Sequence, residues 1–535
     1  MSAGSAARRL GALLLLVAAA AGPGRAQGAP EALAPADPGP PLVVARCPAA
    51  GAARLGESAA LLERRAVEAA RDEDPVCASH GLALADALHR PGRGACSAAD
   101  RIAAGPGLET DADLLAWHAL LSWRCGRPRD AWVAARAALA LDEGTTLAWT
   151  MLGRVLSARF RPRAARAAFE RALALDPQEA GALFALSRIA STRAASRALL
   201  ARYLDAATAR GESPDRIRAA RETLDFLETL GERPIWVLEK AELPGTLPLE
   251  PYAVRPGQIN GWIVRLGLGE KASVPALFDS GASGLHLADN AAKKASLEPV
   301  SSGTLVGGGG DKEHGVERAI VPRLDFGPVL FSDALGVVAE GSLHPQGVYR
   351  AIVGFDVLGG TRIRLDAAER VATVEETEAV DDGDDPRTLD PWPAAPRVPI
   401  VEVEGQLLVP ARLSGPAGSV DGLALLDTGA SRTLVELSAA EEIATLTQRG
   451  QRSASAYGGQ VAFAGQVAVV RVVVAGADEQ LRDVGVIDLA DRARHAGVGL
   501  VAFIGLDVLA RGTLDVDLAS GTARIEIGVA AGRSR

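Results

Sequence analysis

The sequence contains few aromatic residues, few histidines and little cysteine. Aromatic side chains make up 4% of the 535 residues, and the chain has seven histidines and four cysteines. No Cys-x-x-Cys spacing and no cofactor motif occurs, so the sequence predicts neither a metal site nor a cofactor. A formal net charge of −9, without a domain-sized basic excess, argues against binding of nucleic acid.

Long apolar runs are also missing. The apolar run Leu10–Ala21 follows Arg8 and Arg9 and is shorter than the roughly 20 residues that cross a bilayer. Small residues around Ala26 offer a cleavage site, so residues 1–26 are predicted to be a signal peptide. The alternative is an uncleaved membrane anchor. The abundance of Arg and Ala is typical of GC-rich bacteria, so we expect a bacterial protein. The predicted signal peptide implies export to the periplasm or the medium. After its removal we expect no membrane span, since no later apolar run is long enough.

The four cysteines all lie in the first quarter of the chain. In an oxidising compartment they are expected to form two structural disulfides. Four cysteines allow three pairings, and one of these joins Cys77 to Cys96. The four candidates are Cys47, Cys77, Cys96 and Cys125.

The first part of the chain has helical periodicity and an internal repeat. It is rich in Ala, Leu and Arg, and the segment Ala138–Asp142 recurs as Ala172–Asp176. This spacing matches the period of about 34 residues that is typical of the tetratricopeptide repeat, a pair of antiparallel helices that stacks on its neighbours. The second copy resembles the tetratricopeptide consensus at Trp149, Leu152, Gly153, Ala165, Phe169, Ala172 and Pro177.

This pattern divides the first part of the chain into two predicted regions. Residues 27–105 are predicted to be a leader followed by a helical segment that contains the cysteines. Residues 106–232 are predicted to be tetratricopeptide-like repeats that bind the substrate or a protein partner. A plain helical bundle that serves as a spacer is the alternative.

After Pro234 the sequence is typical of an all-β region. Short β-branched runs alternate with Gly, Pro and Asp turns. The acidic, proline-containing stretch 379–396 is predicted to be a solvated linker. It separates two pieces of similar length, residues 245–378 and 397–530, which carry the same motifs in the same order.

Two motifs recur in these halves. An apolar strand leads into Asp279-Ser-Gly-Ala-Ser in the first half and into Asp427-Thr-Gly-Ala-Ser in the second. A hydrophobic-Gly motif follows, and Gly354 and Gly505 lie at nearly the same distance along the chain after their respective aspartates. The two motif pairs resemble the pepsin-like and retropepsin-like aspartic peptidases, most closely the retropepsin branch and its bacterial relatives.

The resemblance implies a bilobed, all-β acid-protease fold with Asp279 and Asp427 as the catalytic pair. Two carboxyl groups about 3 Å apart cannot both ionise, so the pair holds one proton. The ionised carboxylate can take a proton from water while the protonated partner acts as an acid.

The resemblance also assigns roles to the other motif residues. Ser280 and Thr428 would join the two motif loops by reciprocal hydroxyl hydrogen bonds. Ser283 and Ser431 would hydrogen-bond the outer oxygens of the aspartates. Glycine allows a close approach of the backbone, which is the role expected at Gly281, Gly429, Gly354 and Gly505.

Three further groups of residues complete the predictions. His286 has no counterpart in the second half and is expected to have a local structural role. Asp356 and Asp507 are expected to cap the turn or helix that follows each glycine motif. The resemblance predicts flexible hairpins over the cleft, with candidate tips at Gly307, Gly308, Gly309, Gly310, Tyr457 and Gly458.

The sequence therefore predicts an exported aspartic endopeptidase that acts on a peptide or protein substrate. We expect a monomer whose halves form an intramolecular pseudo-dimer; the alternative is that each half pairs with its equivalent in a second chain. A different function, a scaffold that binds peptides or proteins with an inactive or latent peptidase fold, stays open. A proenzyme restrained by its helical part is a third hypothesis.

Overall fold

The computed structural model describes residues 91–527, except 106, 255–257, 271, 307–312, 345, 379, 381, 384, 394–395, 449–452 and 457–458. Helices come first and strands follow, so the chain has a multidomain layout with a helical part before a β part. The predicted signal peptide and leader, Cys47 and Cys77, and the predicted hairpin tips lie outside the described residues. Among the described helices, none is long and apolar enough to cross a membrane.

The helical part consists of eight α-helices within the described residues. They are α1 (Arg93–Ala103), α2 (Ala112–Arg124), α3 (Pro128–Leu141), α4 (Thr146–Ala158), α5 (Pro162–Leu175), α6 (Ala180–Arg188), α7 (Arg193–Arg210) and α8 (Pro214–Leu230). Pro128 and Pro162 each begin a helix, where the missing N–H costs no hydrogen bond. The connections are short, so neighbouring helices pack antiparallel.

The period of the sequence repeat reappears in the helix bounds. Helix α4 begins and ends one repeat period after α2, and α5 begins and ends one repeat period after α3. This period is the interval that separates Ala138 from Ala172. Helix α6 also begins one period after α4. Phe169 of α5 packs so closely on Gly153 of α4 that a Cβ there would lie 2.7 Å from the ring. The repeated unit is therefore a pair of helices held together by a large residue opposite a small one.

The β part consists of two halves. The first contains β1 (Val237–Ala241), β2 (Gly245–Pro248), β3 (Glu250–Tyr252), β4 (Gly261–Leu268), β5 (Ala272–Asp279), β6 (Leu285–Ala288), α9 (Asp289–Lys294), β7 (Pro299–Val306), β8 (Glu313–Phe326), β9 (Val329–Ala339), β10 (Ala351–Gly354), β11 (Thr361–Asp366) and β12 (Val371–Glu376). The second contains β13 (Val398–Pro399), β14 (Val401–Val403), β15 (Gln406–Gly415), β16 (Gly418–Leu426), β17 (Leu434–Glu436), α10 (Leu437–Ile443), β18 (Ser453–Ala456), β19 (Gly459–Ala462), β20 (Gly465–Val474), β21 (Ala477–Ile487), α11 (Ala490–Ala496), β22 (Ala502–Ile504), α12 (Leu506–Leu509), β23 (Gly512–Asp517) and β24 (Thr522–Ile527).

The two halves share one strand order. The first half contains the order β9-β6-β10-β5-β4, and the second contains β21-β17-β22-β16-β15. In both halves the strand of the glycine motif runs parallel to the strand of the aspartate motif, β10 beside β5 and β22 beside β16. Equivalent strands thus make equivalent pairings, so the sequence duplication is also a duplication of topology.

A third sheet joins the two halves. Its order is β13-β24-β23-β11-β12-β2, and its centre is the antiparallel pair of β11 from the first half with β23 from the second. Arg362 of β11 and Arg397 both hydrogen-bond the carboxylate of buried Asp515 on β23. Burial alone would raise the pKa of Asp515, but these bonds outweigh it and hold that pKa at about 2. Backbone and charge contacts together fix one half against the other.

The helical part packs directly on both halves. Its apolar residues form one continuous core with the outer face of the second half, which contributes Val401, Val403, Leu408, Leu423, Leu425, Ile487, Leu489, Val498, Leu500 and Phe503. Phe226 and Leu230 of α8 join the core of the first half beside Trp236. The helices are therefore not a separate spacer on a tether.

Buried Arg159, at the end of α4, anchors the helices to the β part. Its guanidinium donates to the carbonyl oxygens of Ile400, Gly521 and Pro391, the last two at 2.7 and 2.9 Å. It also lies 5.3 Å from the ring centroid of Trp392. Burial lowers the pKa of Arg159 to about 9, so it remains charged at neutral pH.

The acidic linker is less solvated than its composition predicts. Asp382 is only 8% exposed. Its carboxylate accepts the backbone N–H of Arg163 at 2.6 Å and that of Ala164 at 3.5 Å, in the first turn of α5. The prediction of a fully solvated linker is therefore wrong at this residue, because the free N–H groups of a helix N-terminus bind a carboxylate.

Of the three allowed pairings, the one that joins Cys77 to Cys96 does not form. Cys96 on α1 is bonded to Cys125 at the end of α2, with a Cα–Cα distance of 4.7 Å. Packing of α1 against α2 brings these two cysteines together although they are well separated in sequence. The sequence left the pairing open because the bond depends on how the helices pack.

Candidate active site

The two aspartate motifs meet between the halves. Asp279 is the last residue of β5, and Asp427 directly follows β16. A Cβ on Gly281 would lie 2.7 Å from Cγ of Asp427, and a Cβ on Gly429 would clash with Oδ2 of Asp279. Each carboxyl group thus occupies the space that glycine leaves in the other half. Both side chains are partly exposed.

Backbone N–H groups hold the inner oxygen of each carboxyl group. Gly281 donates to Oδ1 of Asp279 at 2.8 Å, and Ala430 donates to Oδ1 of Asp427 at 2.9 Å. The N–H of Gly429 is shared, at 3.1 Å from Oδ1 of Asp279 and 3.0 Å from Oδ1 of Asp427. The two carboxyl groups are also close enough to influence each other's pKa. These contacts orient the pair as one unit.

The hydroxyl groups of Ser280 and Thr428 lock the two loops together. Ser280 Oγ donates to the carbonyl of Leu426 at 2.8 Å, and Thr428 Oγ1 donates to the carbonyl of Phe278 at 2.8 Å. Each hydroxyl also accepts the backbone N–H of the other residue, at 2.9 and 3.0 Å. These are the reciprocal contacts that the resemblance implies, and both residues are completely buried.

The electrostatics of the pair favour a single shared proton. Burial raises the pKa of Asp279, and the nearby charge of Asp427 raises it further. Burial also raises the pKa of Asp427, while the Arg492 guanidinium opposes that rise. Because the two carboxyl groups are coupled, the proton belongs to the pair, and its preferred position is on Asp279.

The prediction for Ser283 and Ser431 is wrong. Among the described residues, no hydrogen bond joins either hydroxyl group to the aspartate pair. The side-chain oxygens that accept backbone N–H groups are the inner Oδ1 atoms, not the outer oxygens of the prediction. Ser283 lies against Gly405, where an added Cβ would come within 3.3 Å of its hydroxyl oxygen. The turn between β14 and β15 therefore occupies the space beside Ser283.

Gly354 and Gly505 lie where the backbone passes closest to the motif loops. A Cβ on Gly354 would lie 2.5 Å from the carbonyl oxygen of Ala282, and one on Gly505 would lie 2.8 Å from the nitrogen of Thr433. Side chains at either position would displace the segment that follows the aspartate. This is the close approach that the resemblance implies.

Asp356 and Asp507 have a different role from the predicted one. Both carboxylate oxygens of Asp356 accept the N–H of Gly284 at 2.9 Å, and Asp507 accepts the N–H and hydroxyl of Thr433 at 2.8 and 2.7 Å. They link each glycine motif to the segment after the aspartate motif, a long-range contact that local sequence does not reveal. His286 contacts its own loop, with Nε2 at 2.9 Å from the carbonyl of Ser283, as a local residue.

Replacing Asp356 by Asn is expected to change how stability depends on pH. Burial raises the pKa of Asp356 to about 7, whereas an unfolded aspartate titrates near about 3.9. A raised pKa stabilises the fold fully below about pH 4, and this contribution is lost as the pH rises towards 7. The free energy of unfolding of the variant should therefore increase relative to wild type, by on the order of 1 kcal/mol per pH unit across that window.

Urea unfolding of both proteins from pH 4 to pH 8 measures this difference. Asp325→Asn, at an exposed site, is the matched control and should keep the wild-type pH dependence. Parallel curves for Asp356→Asn and wild type would show that Asp356 is ionised in the folded state.

Two residues near the pair belong to no sequence motif. Tyr349 lies just before β10, and the charge of Asp279 raises its pKa. Arg492 on α11, before β22, faces Asp427, Glu404 and Asp279. Both lie on the segment that immediately precedes a glycine motif, and this shared position is the signal that could have identified them.

Comparison with known proteins yields little. No protein-family model matches the sequence, and no curated protein matches it. Among solved structures, the crystal structure of Basic 7S globulin from soybean is similar with a TM-score of 0.31 and 10% identity, covering 52% of this chain and 93% of that one. A similarity at this level identifies neither fold nor function.

Proposed function

We propose that the protein is an exported aspartic endopeptidase with two retropepsin-like lobes in one chain. The observation that carries this proposal is the aspartate pair itself. Two equivalent strands lead into the two aspartates, each carboxyl group fills the space left by a glycine of the other half, and both accept the N–H of Gly429. This chemistry requires two carboxyl groups that are close enough to share one proton.

The proposed reaction needs only the two aspartates and a water molecule. Asp427, ionised, takes a proton from water while Asp279, protonated, gives its proton to the carbonyl oxygen of the peptide bond. Water oxygen bonds to the carbonyl carbon and gives a tetrahedral intermediate. When the C–N bond breaks, Asp427 gives its proton to the leaving nitrogen and Asp279 takes a proton from a hydroxyl of the intermediate. The products are a carboxylic acid and an amine, and the pair again holds one proton.

Pairing within one chain is supported by the contacts between the halves. Strands β11 and β23 hydrogen-bond along their length, and the Ser280–Thr428 contacts tie the two loops together. A single chain therefore suffices for the site, and we propose a monomer.

The helices are proposed to be tetratricopeptide-like repeats that recruit the substrate or a partner. The regular displacement of the helix bounds supports the repeat. Their position supports recruitment, because a helix end lies near the site. The charge of Arg188, at the end of α6, lowers the pKa of Glu404. Glu404 in turn acts on Arg492 together with Asp427.

Purified mature protein is expected to cleave members of a diverse peptide library, with a bell-shaped pH dependence. Activity requires one proton on the pair, and activity is lost at high pH when that proton dissociates. Because burial raises the pKa of both aspartates, activity should persist at a higher pH than the usual pKa of aspartate suggests. Measuring kcat/KM from pH 3 to pH 8, with and without pepstatin, tests this. Tight peptide binding without cleavage at any pH would instead support a non-catalytic scaffold.

A further inference from the structure

Two segments, one from each half, bring a side chain near the aspartate pair. One precedes β10 and includes His344 and Tyr349, and the other is α11, which precedes β22. Strands β10 and β22 make equivalent pairings with β5 and β16, so each segment precedes the equivalent strand of its own half. A peptide lying across the pair would therefore meet one segment on each side of the bond to be cleaved.

The segment of the first half presents aromatic rings. The hydroxyl of Tyr252 lies 2.8 Å from Nε2 of His344, and the ring centroids of His344 and Tyr349 are 5.0 Å apart. Tyr349 packs on the same apolar cluster as Tyr252 and Ala282 of the first aspartate motif. Burial raises the pKa of Tyr349, and the nearby charge of Asp279 raises it further. All three rings are only partly buried, so they leave an aromatic surface for an apolar side chain.

The segment of the second half presents a cation. Cζ of Arg492 lies 4.9 Å from the ring centroid of Phe503, the residue paired with Leu425 in β16. Its Nε is buried and has no hydrogen-bond partner among the described residues. His495 lies one turn further along α11, and both residues contribute to the electrostatics of Glu404.

No ion pair joins the Arg492 guanidinium to a carboxylate among the described residues. Asp427, Glu404 and Asp279 all act on Arg492 through their charge. One of the two aspartates is protonated in the active form, which removes part of that negative charge. A buried polar group without a partner is costly, so a carboxylate from a ligand would complete the site by a two-pronged hydrogen bond.

We propose that Arg492 determines specificity by binding a carboxylate of the peptide on the second-half side of the cleaved bond. The Tyr252, His344 and Tyr349 rings take an aromatic or apolar side chain on the first-half side. This proposal rests on the proposed peptidase function. The carboxylate is either an Asp or Glu side chain or the C-terminus of the peptide, and both present the same chemistry to the guanidinium.

Matched peptides distinguish these sources and test the proposal. One set carries Glu or Gln at each position around the cleaved bond, and another ends in a free acid or an amide. We expect wild type to prefer the acidic peptide at one position by roughly tenfold to hundredfold in kcat/KM, the size expected for a charged hydrogen bond. A preference for the free acid alone would assign the site to the C-terminus.

Variants in α11 test whether Arg492 causes the preference for acidic peptides. In Arg492→Gln the ratio between acidic and neutral peptides should fall to about one, and Arg492→Lys should keep part of it. Arg494→Gln is the control, because Arg494 lies on the same helix but is exposed and paired with Asp491. A ratio near one in wild type at every position, or an unchanged ratio in Arg492→Gln, would overturn the proposal.

The design separates this proposal from the peptidase function. If wild type cleaves none of the peptides, the peptidase proposal fails, while the binding affinities of the same peptides for wild type and Arg492→Gln still decide the role of Arg492. If wild type cleaves peptides without an acidic preference, the peptidase proposal stands and the specificity proposal fails. Circular dichroism of each variant shows whether it folds, and Arg492→Lys remains informative if Arg492→Gln does not.

Discussion

Replacing Asp427 by Asn is expected to reduce kcat/KM for peptide cleavage by roughly 10²- to 10⁴-fold, the contribution of a general base. The amide oxygen can still accept the N–H groups of Gly429 and Ala430, so the fold should be retained. The amide cannot take a proton from water. Initial rates on a peptide that wild type cleaves, together with circular dichroism and thermal unfolding, measure both effects.

Asp421→Asn provides the control for this variant. Asp421 lies on the same strand, β16, but its side chain is 62% exposed and pairs with Arg412 at the surface. Such a surface pair contributes little to stability, so the substitution should leave kcat/KM unchanged. Full activity in Asp427→Asn would remove Asp427 from the mechanism.

Removing the helices is expected to make the β part insoluble. A chain that starts at residue 235 would expose the apolar face of the second half, including Leu408, Leu423, Leu500 and Phe503, which now lies in a shared core. Burial contributes about 1.5–3 kcal/mol for each large apolar side chain. Four such residues therefore contribute about 6–12 kcal/mol, comparable with the roughly 5–15 kcal/mol that stabilises a whole domain. Solubility and size-exclusion profiles measure the outcome.

A cut in the connection between the two parts is the matched control. Glu232, Arg233 and Pro234 are exposed, so a specific protease site can be introduced there without disturbing the core. After cutting, the two fragments should still elute together, because the shared core holds them without the covalent link. A soluble and fully active chain starting at residue 235 would show that the helices are dispensable, and would favour the spacer interpretation.

The sequence predicted those features that depend on local patterns. Asp279 and Asp427, the strands before them and the later glycines are each encoded in a few consecutive residues, and their duplication made them recognisable. The recurrence of Ala138–Asp142 at Ala172–Asp176 likewise predicted a repeated helix pair, because a repeat leaves a direct trace in the sequence. The structure places both aspartates and both later glycines at the boundary between the halves or next to it.

The features that were missed depend on distant segments. Ser283 does not reach the aspartates because Gly405, from the other half of the β part, lies against it. Asp356 binds the N–H of Gly284, which is distant in sequence, and Cys96 is bonded across two packed helices. The effect of Arg492 on Asp427 depends on the fold, which brings α11 near the second aspartate motif. Such contacts follow from tertiary packing, which single-sequence patterns do not encode.

The most direct test of the central claim, one site built by the two halves of one chain, is a mixing experiment. Asp279→Asn and Asp427→Asn are purified separately, and cleavage is measured for each alone and for the equimolar mixture after prolonged incubation. The account predicts that both variants and the mixture are inactive beside active wild type. Activity in either single variant would mean that each half pairs with its equivalent in another chain. Activity that appears only in the mixture would mean that the pair forms between chains, and either result would contradict the account.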